Sequence, residues 1–374
     1  KDYSLFSDNG TTLAEDKQGI AQWNDFYQSE FSLTPITASS KPTFSDKTTL
    51  NNFHPTVTFT DDPMATSTTT ANKIIDRSDN GSIIAAGKVI TDLSNQFVTG
   101  FGTNARSPGL TISTNLPRGY INATNFTQAP NHEFNSNDNF SMAMAWNIGT
   151  SNQVTGQFSA DGIRASMSPA GTMDQATTHD HLRVGGFTSY KYNGQINEVA
   201  AFEHALTTDE LDRVESYMAI KYGSSKSYAN RAKNYLNANS DVVWDATRNA
   251  GYRYNIAGIA RDDKGGLNQK QAWSTHTNKE VLIATTGLAN TNGENQIALT
   301  DGQYLVWGDN GKVKEPVVHL VNHKVLNYRF EAIWKVQNTN NTDTVRVAWL
   351  SNNILDYAVM LSNDEVFDNN DSFV

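Results

Sequence analysis

Hydrophobic residues alternate with small or polar residues in several segments of the chain. The clearest segment is 140–148, where Phe, Met, Met, Trp and Ile alternate with Ser, Ala, Ala and Asn. This period of two places the large side chains on one face of a β-strand, and the small residues allow the second face to be covered too. The segment 344–350 repeats the pattern. Both segments are therefore predicted to be strands.

Further strands are predicted where short hydrophobic runs lie between turn signals. They cover 56–60, 82–86, 96–101, 182–187, 195–202, 281–284 and 304–307. The turn signals are Asp79-Asn80-Gly81, Asp161-Gly162, Asn193-Gly194, Asp301-Gly302 and Asp309-Asn310-Gly311. Asn, Asp and Gly favour such turns because they accept positive φ angles at little cost. We therefore expect an all-β protein.

One segment has the periodicity of a helix. Thr207 and Glu210 have the spacing of a capping box, apolar residues at 211, 214 and 218 share one face, and Gly223 is placed to end the helix. A short polar link follows over 224–227. We therefore predict two domains, residues 1–223 and 224–374.

Composition and charge exclude several classes of function. The 374 residues include 29 Lys and Arg against 39 Asp and Glu, which gives a net charge of −10, and there is no cysteine. Because basic clusters are missing, nucleic acids and anionic membranes are not expected as partners. No apolar run is long enough for a bilayer, so we expect no membrane insertion. Disulfides, thiol catalysis and cysteine-based zinc sites are excluded.

Two groups of motifs mark the first domain. The opening group is Gln22-Trp23-Asn24-Asp25, Lys41-Pro42-Thr43-Phe44 and Asn52-Phe53-His54-Pro55-Thr56-Val57-Thr58-Phe59. The closing group is Leu182-Arg183-Val184-Gly185-Gly186, Tyr192-Asn193-Gly194-Gln195-Ile196-Asn197-Glu198-Val199, Leu206-Thr207 and Lys221-Tyr222-Gly223. Together they resemble the laminin-G-like, concanavalin-A-like modules of bacterial extracellular proteins. The resemblance covers residues 10–223 and implies a jelly-roll sandwich with one marker helix.

The second domain carries a different set of motifs. They are Val243-Trp244-Asp245, Ile256-Ala257-Gly258-Ile259-Ala260-Arg261-Asp262-Asp263, Gly266-Leu267-Asn268-Gln269-Lys270-Gln271, Tyr304-Leu305-Val306-Trp307-Gly308-Asp309-Asn310 and Trp334-Lys335-Val336-Gln337. This part resembles an uncharacterised β-rich domain that follows such modules in large secreted or surface proteins, which implies a second, smaller β-sandwich. The pattern breaks off after Phe367, so we expect the natural protein to continue into flanking domains.

The resemblance implies binding of glycans or protein ligands on a concave sheet or a rim, often with Ca²⁺. Our leading hypothesis is a non-catalytic adhesion module of a bacterial cell surface, which binds a glycan or peptide on a cell or matrix surface. One alternative is a polysaccharide-degrading enzyme or its carbohydrate-binding accessory module. Another is a structural spacer in a large surface protein.

Paired carboxylates are the signature of the enzyme alternative. Glycosidases need two carboxyl groups about 5–9.5 Å apart, which on one strand means a spacing of two or four residues. The sequence lacks such a motif, and Glu198 and Glu203 lie five apart, so a regular strand points them to opposite faces. Glu198 belongs to the Gly-x-Ile-x-Glu signature of the resembled modules and is interpreted as a structural hydrogen-bonding carboxylate.

A candidate calcium loop lies between residues 76 and 81. Asp76, Ser78 and Asn80 supply oxygens at positions 1, 3 and 5, and Gly81 stands at position 6. Gly87 occupies position 12, where a bidentate carboxylate is expected. The alternative interpretation is an Asx-rich hairpin turn without a metal.

Three aromatic residues are candidates for ligand binding. Tyr190 and Tyr192 flank Lys191 just before Asn193-Gly194, where they would form a platform at the rim. Trp273 is the tryptophan least obviously internal by its neighbours. The other tryptophans have apolar or strand-like neighbours and are expected in the core.

Overall fold

The structure is a computed structural model that describes residues 4–25, 31–46, 51–67, 75, 79–91, 95–102, 108–122, 126–167, 171–173, 181–187, 189–226, 232–274, 281–315, 318–319, 328–349, 358–368 and 371–373. Its regular elements are almost all β-strands, which confirms the expected all-β class. Among the residues so described, no helix is long and apolar enough to cross a bilayer.

The strands before the long helix build the first part of the molecule. They are β1 Leu5–Phe6, β2 Gln22–Asn24, β3 Ser32–Pro35, β4 Thr43–Ser45, β5 Thr56–Thr60, β6 Met64–Ala65, β7 Gly81–Val89, β8 Gln96–Phe101, β9 Gly109–Ser113, β10 Leu116–Tyr120, β11 Phe126–Gln128, β12 Asn139–Ile148, β13 Val154–Ala160, β14 Ile163–Met167, β15 Leu182–Val184 and β16 Asn193–Phe202. A 3₁₀ turn, Thr150–Asn152, lies between β12 and β13.

These strands form two antiparallel sheets. The nine-stranded sheet has the order β1-β2-β3-β6-β15-β8-β9-β10-β11, and the seven-stranded sheet has the order β14-β13-β12-β7-β16-β5-β4. Strands distant in sequence are neighbours, as β15 is between β6 and β8. Such crossovers between two packed sheets are typical of a jelly-roll sandwich.

One hydrophobic core fills the space between the two sheets. Met144 and Trp146 of β12 enter it from the seven-stranded sheet, and Leu110 of β9 enters from the nine-stranded sheet. The small residues Ala143 and Ala145 point the other way and join a separate cluster. The alternation along 140–148 therefore has the predicted consequence, and both faces of β12 are buried.

The helix α1, Thr208–Tyr222, lies against the outer face of the seven-stranded sheet. The capping box between Thr207 and Glu210 is present, and Gly223 ends the helix in the left-handed conformation with φ 66°. The predicted helix and both of its end signals are thus confirmed.

The strands after the helix build a smaller sandwich. They are β17 Tyr235–Leu236, β18 Val242–Trp244, β19 Tyr254–Asp262, β20 Leu267–Gln269, β21 Gln271–Trp273, β22 Val281–Thr285, β23 Tyr304–Asp309, β24 Val318–His319, β25 Tyr328–Arg329, β26 Trp334–Thr339, β27 Val345–Trp349, β28 Met360–Leu361 and β29 Ser372–Phe373. A four-stranded sheet, β20-β19-β23-β26, packs on a three-stranded sheet, β21-β22-β27, through Ile259, Leu305 and Ile283 among others.

A loop at residues 51–54 joins the two parts. The buried Asn52 donates from Nδ2 to the carbonyl oxygens of Ile220 and Lys221 at 3.1 and 3.0 Å, and its Oδ1 accepts from the backbone N–H of Trp273 at 2.9 Å. The helix contributes Ala219 and Ile220 to the second core. Because α1 packs on both sides, the boundary between residues 223 and 224 stays a prediction.

The expected turn at Asn193-Gly194 is wrong. Both residues begin strand β16, where they pair with Thr60 and Phe59. Glycine is required at 194 because a Cβ there would come within 2.4 Å of the Tyr192 ring. Gly194 is therefore explained by its close packing against Tyr192 and not by a turn. In contrast, Asp161-Gly162 forms the expected two-residue hairpin turn between β13 and β14.

Candidate ligand-binding face

The hairpin of β9 and β10 positions an outward-facing group of side chains. Its turn consists of Thr114 and Asn115, with φ angles of 52° and 67°, and the strands pair so that Arg118 lies opposite Thr111. Gly119 faces the core, since a Cβ there would meet the ring of Phe158 at 2.8 Å. The neighbouring positions 118 and 120 therefore face outward.

Two aromatic rings and a guanidinium group stack on this outer surface. Tyr120 lies opposite Phe126 of β11, and their rings are stacked with centroids 5.4 Å apart and planes 29° from parallel. The guanidinium carbon of Arg118 lies 4.3 Å from the centroid of the Phe126 ring, and its Nε donates to Oε1 of Gln128 at 3.3 Å. We call Thr111, Arg118, Tyr120, Phe126 and Gln128 the open face.

The open face is accessible and carries unused hydrogen-bonding groups. Phe126 is 43% exposed, and Arg118 and Tyr120 are partly exposed. Nη1 and Nη2 of Arg118 have no hydrogen-bond partner within the described part of the chain. The hydroxyl of Thr111 also lacks a partner there, but its oxygen is buried and does not reach the surface. The surface thus combines flat apolar rings with outward-facing donors.

The adjoining part of the same sheet is closed by its own side chains. Phe97 lies over Gly100 and Gly109, where an added Cβ would come within 2.6 and 2.5 Å of its ring. Phe187 packs on Phe97 with ring centroids 3.9 Å apart, and Arg183 lies 5.4 Å from the Phe187 centroid. Burial lowers the pKa of Arg183. The surface around Phe97 is therefore closed to a ligand, in contrast to the β9–β11 end.

The outer surface of the seven-stranded sheet is occupied by the helix. Small residues of β7 and β12 lie under the apolar side of α1, and the members of this cluster include Ile84, Ala86, Ala143, Ala145, Leu211 and Met218. We call this surface the covered face. Its positions on β7 and β12 are occupied by the helix.

A carboxylate cluster fixes the helix to strand β16. Glu198 accepts from the hydroxyl groups of Tyr222 at 2.6 Å and Tyr217 at 3.1 Å, and from Nζ of Lys221 at 2.7 Å. This confirms the interpretation of Glu198 as a structural hydrogen-bonding carboxylate.

The electrostatics of this cluster favour the ion pair. Burial acts to raise the pKa of Glu198, but the Lys221 ammonium and the two hydroxyl donors outweigh it and hold the pKa below its ordinary value. Burial and the nearby carboxylate raise the pKa of Tyr217 and Tyr222. Both phenols therefore stay protonated, and neither is prepared to act as a nucleophile.

Two of the three predicted ligand-binding aromatics are in the interior. Tyr192 is completely buried, and its hydroxyl donates to the carbonyl oxygen of Lys88 at 2.7 Å. Trp273 is 8% exposed and packs on Phe53 with ring centroids 5.1 Å apart. These assignments are corrected, because neither ring can stack on a ligand. Tyr190 is 42% exposed and keeps its place as a candidate.

The candidate calcium loop is only partly within the described residues. Asp76 and Ser78 lie outside them. Oδ1 of Asn80 accepts from the backbone N–H of Ile148 at 2.8 Å, a contact with the end of the distant strand β12. Among the residues that the structure describes, no group of three or more His, Asp or Glu side chains is arranged to hold a metal ion.

The residues of the open face were not predicted from the sequence, because the β9–β10 hairpin carries only weak sequence signals for a turn and for a strand. Its turn is Thr114-Asn115 rather than an Asn-Gly or Asp-Gly pair, and Pro117, a residue type that disfavours a strand, lies within β10. The alternation of Leu116, Arg118 and Tyr120 was the available signal. It indicates a strand with a polar-aromatic outer face, but only the pairing with β11 brings Phe126 to it.

Comparisons with known proteins give one family match and several distant structures. A family model described as a domain of unknown function (DUF8202) matches residues 210–374, so the match begins inside helix α1. No curated protein matches the chain by sequence.

Solved structures that are similar to the chain include sialidases and carbohydrate-binding domains. A Trypanosoma rangeli sialidase in complex with the inhibitor DANA is 10% identical with a TM-score of 0.37, and the match covers 53% of this chain and 30% of that one. Domain 4 of AbnA, a GH43 extracellular arabinanase from Geobacillus stearothermophilus in complex with arabinotriose, is 10% identical with a TM-score of 0.35, covering 48% and 85%. The CBM40 of a Ruminococcus gnavus IT-sialidase, bound to α2,3-sialyllactose, is 19% identical with a TM-score of 0.30, covering 36% and 80%. The chain thus spans less than a third of the sialidase chain.

Proposed function

We propose that the chain is a non-catalytic glycan-binding module of an extracellular bacterial surface protein, and that the open face holds the glycan. The observation that carries this proposal is the stacked pair of Tyr120 and Phe126 with Arg118 over the second ring.

The chemistry of the open face suits a sugar. One side of a pyranose ring presents C–H groups, which pack on a flat aromatic surface, while its hydroxyl groups need polar partners at the edge. The partly exposed rings of Tyr120 and Phe126 supply apolar surface for these C–H groups. Arg118, Gln128 and the Tyr120 hydroxyl supply hydrogen-bonding groups around it.

The absence of catalysis is part of the proposal, and the Glu198 cluster supports it. A glycosidase acid needs a raised pKa, and its partner carboxylate needs access to the sugar. Glu198 has a lowered pKa and already accepts from three donors. Its role is to hold the helix on the sheet.

A glycan array with matched tyrosine variants tests the proposal. Tyr120→Ala should abolish binding, because it removes half of the stacked surface. Tyr254→Ala, which changes a partly exposed tyrosine of the second sandwich, should leave binding unchanged. Loss of binding in Tyr190→Ala alone would move the site to the rim near residue 190.

Other outcomes of the same array separate the alternatives. Binding to peptides but to no glycan would contradict the proposal in favour of a peptide adhesin. Release of reducing sugar from a bound polysaccharide would contradict the non-catalytic part and favour the enzyme.

A rigid spacer is the second candidate function, and the loop at 51–54 favours it. Asn52 contacts the helix end and β21, and the backbone N–H of Asn292 donates to the carbonyl oxygen of Phe53 at 3.0 Å. Such contacts resist bending between the two parts. A chain that binds no glycan, peptide or cell, but scatters X-rays as one rigid body, would support the spacer.

A further inference from the structure

The guanidinium group of Arg118 is held in one orientation. Its central carbon lies over the Phe126 ring, 4.3 Å from the ring centroid. Its Nε donates to Gln128 Oε1 at 3.3 Å. Gln128 and Phe126 belong to the same edge strand, β11, so one element sets both restraints. A guanidinium restrained by the ring and at Nε presents its two terminal nitrogens in a fixed direction.

This positive charge is not used by the described part of the protein. The chain has more acidic than basic residues, with 39 against 29. Arg164, Arg213 and Arg261 each form ion pairs with Asp or Glu. Arg118 forms no ion pair with any described residue, and its Nη1 and Nη2 have no hydrogen-bond partner there. The charge is therefore available to an external anion.

We propose that the open face selects sugars that carry a carboxylate, and that Arg118 is the residue that binds this group. The inference rests on the proposed function, because it names the class of glycan bound at the same face. Two parallel N–H donors of a guanidinium match the two oxygens of a planar carboxylate. Arg118 and Tyr120 are two residues apart on one strand face, about 6.6 Å. A sugar ring that packs on the exposed part of Tyr120 therefore has Arg118 within reach of a carboxylate substituent.

The test compares three soluble probes of defined chemistry. They are an oligogalacturonate, its fully methyl-esterified form and a sulfated galactan oligosaccharide, each titrated into the whole chain by calorimetry. We expect the oligogalacturonate to bind at least about tenfold more tightly than its ester. We also expect this ratio to fall when ionic strength is raised from about 0.01 to 0.15 M, because salt screens an exposed charge pair.

Two arginine variants assign the selectivity to one residue. Arg118→Lys keeps the positive charge but loses the two parallel N–H donors of the planar guanidinium. The ratio of the affinity for the oligogalacturonate to the affinity for its ester should therefore drop about tenfold or more. Arg248→Lys, at an exposed arginine of the second sandwich, should leave the ratio unchanged. Tyr120→Ala should remove binding of both probes, because it acts on the stacking surface.

The outcomes distinguish the inference from the proposed function. Equal affinity for acid and ester, or an unchanged ratio in Arg118→Lys, would overturn the selectivity and leave glycan binding intact. Tighter binding of the sulfated probe than of the oligogalacturonate would replace the carboxylate by sulfate. If none of these probes bound and the glycan array was also empty, both proposals would fail.

Discussion

The two outer faces of the first sandwich share one core but differ in what lies on them. On the covered face, the outward positions of β7 and β12 include Ala86, Ala143 and Ala145, and helix α1 packs directly on them. On the open face, the outward positions of β9, β10 and β11 carry Thr111, Arg118, Tyr120, Phe126 and Gln128, and Phe126 is 43% exposed.

The difference shows how outward-facing residues decide the use of a sheet. Small apolar side chains leave a shallow surface that is stable only when another element covers it. Large aromatic and charged side chains stack on one another, and their hydrogen-bonding groups stay open to water or a ligand. The covered face is therefore a stability surface, whereas the aromatic and charged side chains of the open face stay partly exposed.

The largest expected effect is a difference between the two faces in how much they contribute to the free energy of unfolding. Met218→Ala removes a completely buried side chain from under the helix and should lower the free energy of unfolding by about 2–5 kcal/mol. Phe126→Ala on the open face should cost about 1 kcal/mol or less, because the ring is partly exposed. Urea unfolding followed by tryptophan fluorescence measures both. Equal losses would show that the open face is also part of the core.

A smaller effect is expected from the ion pair that fixes the helix. Glu198→Gln removes the charge that Lys221 and two tyrosine hydroxyls contact, and should lower the free energy of unfolding by about 1–3 kcal/mol. The loss should shrink at low pH. Because the folded-state pKa of Glu198 is lowered, its stabilisation is present above the unfolded pKa and is lost as pH falls through the folded pKa.

Glu203→Gln is the matched control for this effect. Glu203 is exposed, so its change should stay within about 0.5 kcal/mol. A loss in Glu198→Gln that is no larger than in the control would mean that apolar packing alone holds the helix.

A buried lysine next to the covered face should give a rise in stability at alkaline pH. Nζ of Lys226 donates to the carbonyl oxygen of Asp212 at 3.0 Å and to the Ser216 hydroxyl at 2.9 Å. Burial lowers the pKa of Lys226 to about 8, although Glu215 and Asp212 act to raise it. The unfolded lysine keeps its proton to about pH 10.4. The unfolded state therefore binds more protons between these values, and stability should rise there by about 1–2 kcal/mol.

Thermal unfolding between pH 7 and pH 10 measures this rise in the natural chain and in Lys226→Met. The variant should lose the rise and keep most of its stability at pH 7, since Asp212 and Glu215 keep their ion pairs with Arg164. Lys221→Met is the comparison, and it should be destabilised at pH 7 because it leaves Glu198 without its cation. The same alkaline rise in Lys226→Met would assign it to another group.

The smallest expected effect concerns calcium, which we retain as a proposal at Asp76, Ser78 and Asn80. We expect Ca²⁺ to raise Tm relative to EDTA by an amount worth about 1 kcal/mol or less, because position 12 of the loop offers no carboxylate. Asn80→Ala should remove the difference. An identical Tm in both buffers would leave Asn80 with the hydrogen bond to Ile148 as its whole role.

Local signals in the sequence predicted the elements well where they were strong. The alternation at 140–148 and the capping box at Thr207 and Glu210 correspond to β12 and α1. Glu198 was interpreted correctly because the carboxylate belongs to a recognisable motif. Tyr192 was misassigned because a tyrosine before Asn-Gly resembles a hairpin tip, although Asn193 and Gly194 begin a central pairing.

The sequence by itself determined that this protein is built from antiparallel strands with one capped helix, because these elements depend on residue periodicity and on contacts within a few positions. Only the tertiary structure decided which sheet face is covered and which is open. Arg118 and Phe126 meet across two strands, and Ala143 lies in the same cluster as Met218 of the helix, 75 positions further along the chain. Such contacts depend on strand order and packing, which no local pattern contains.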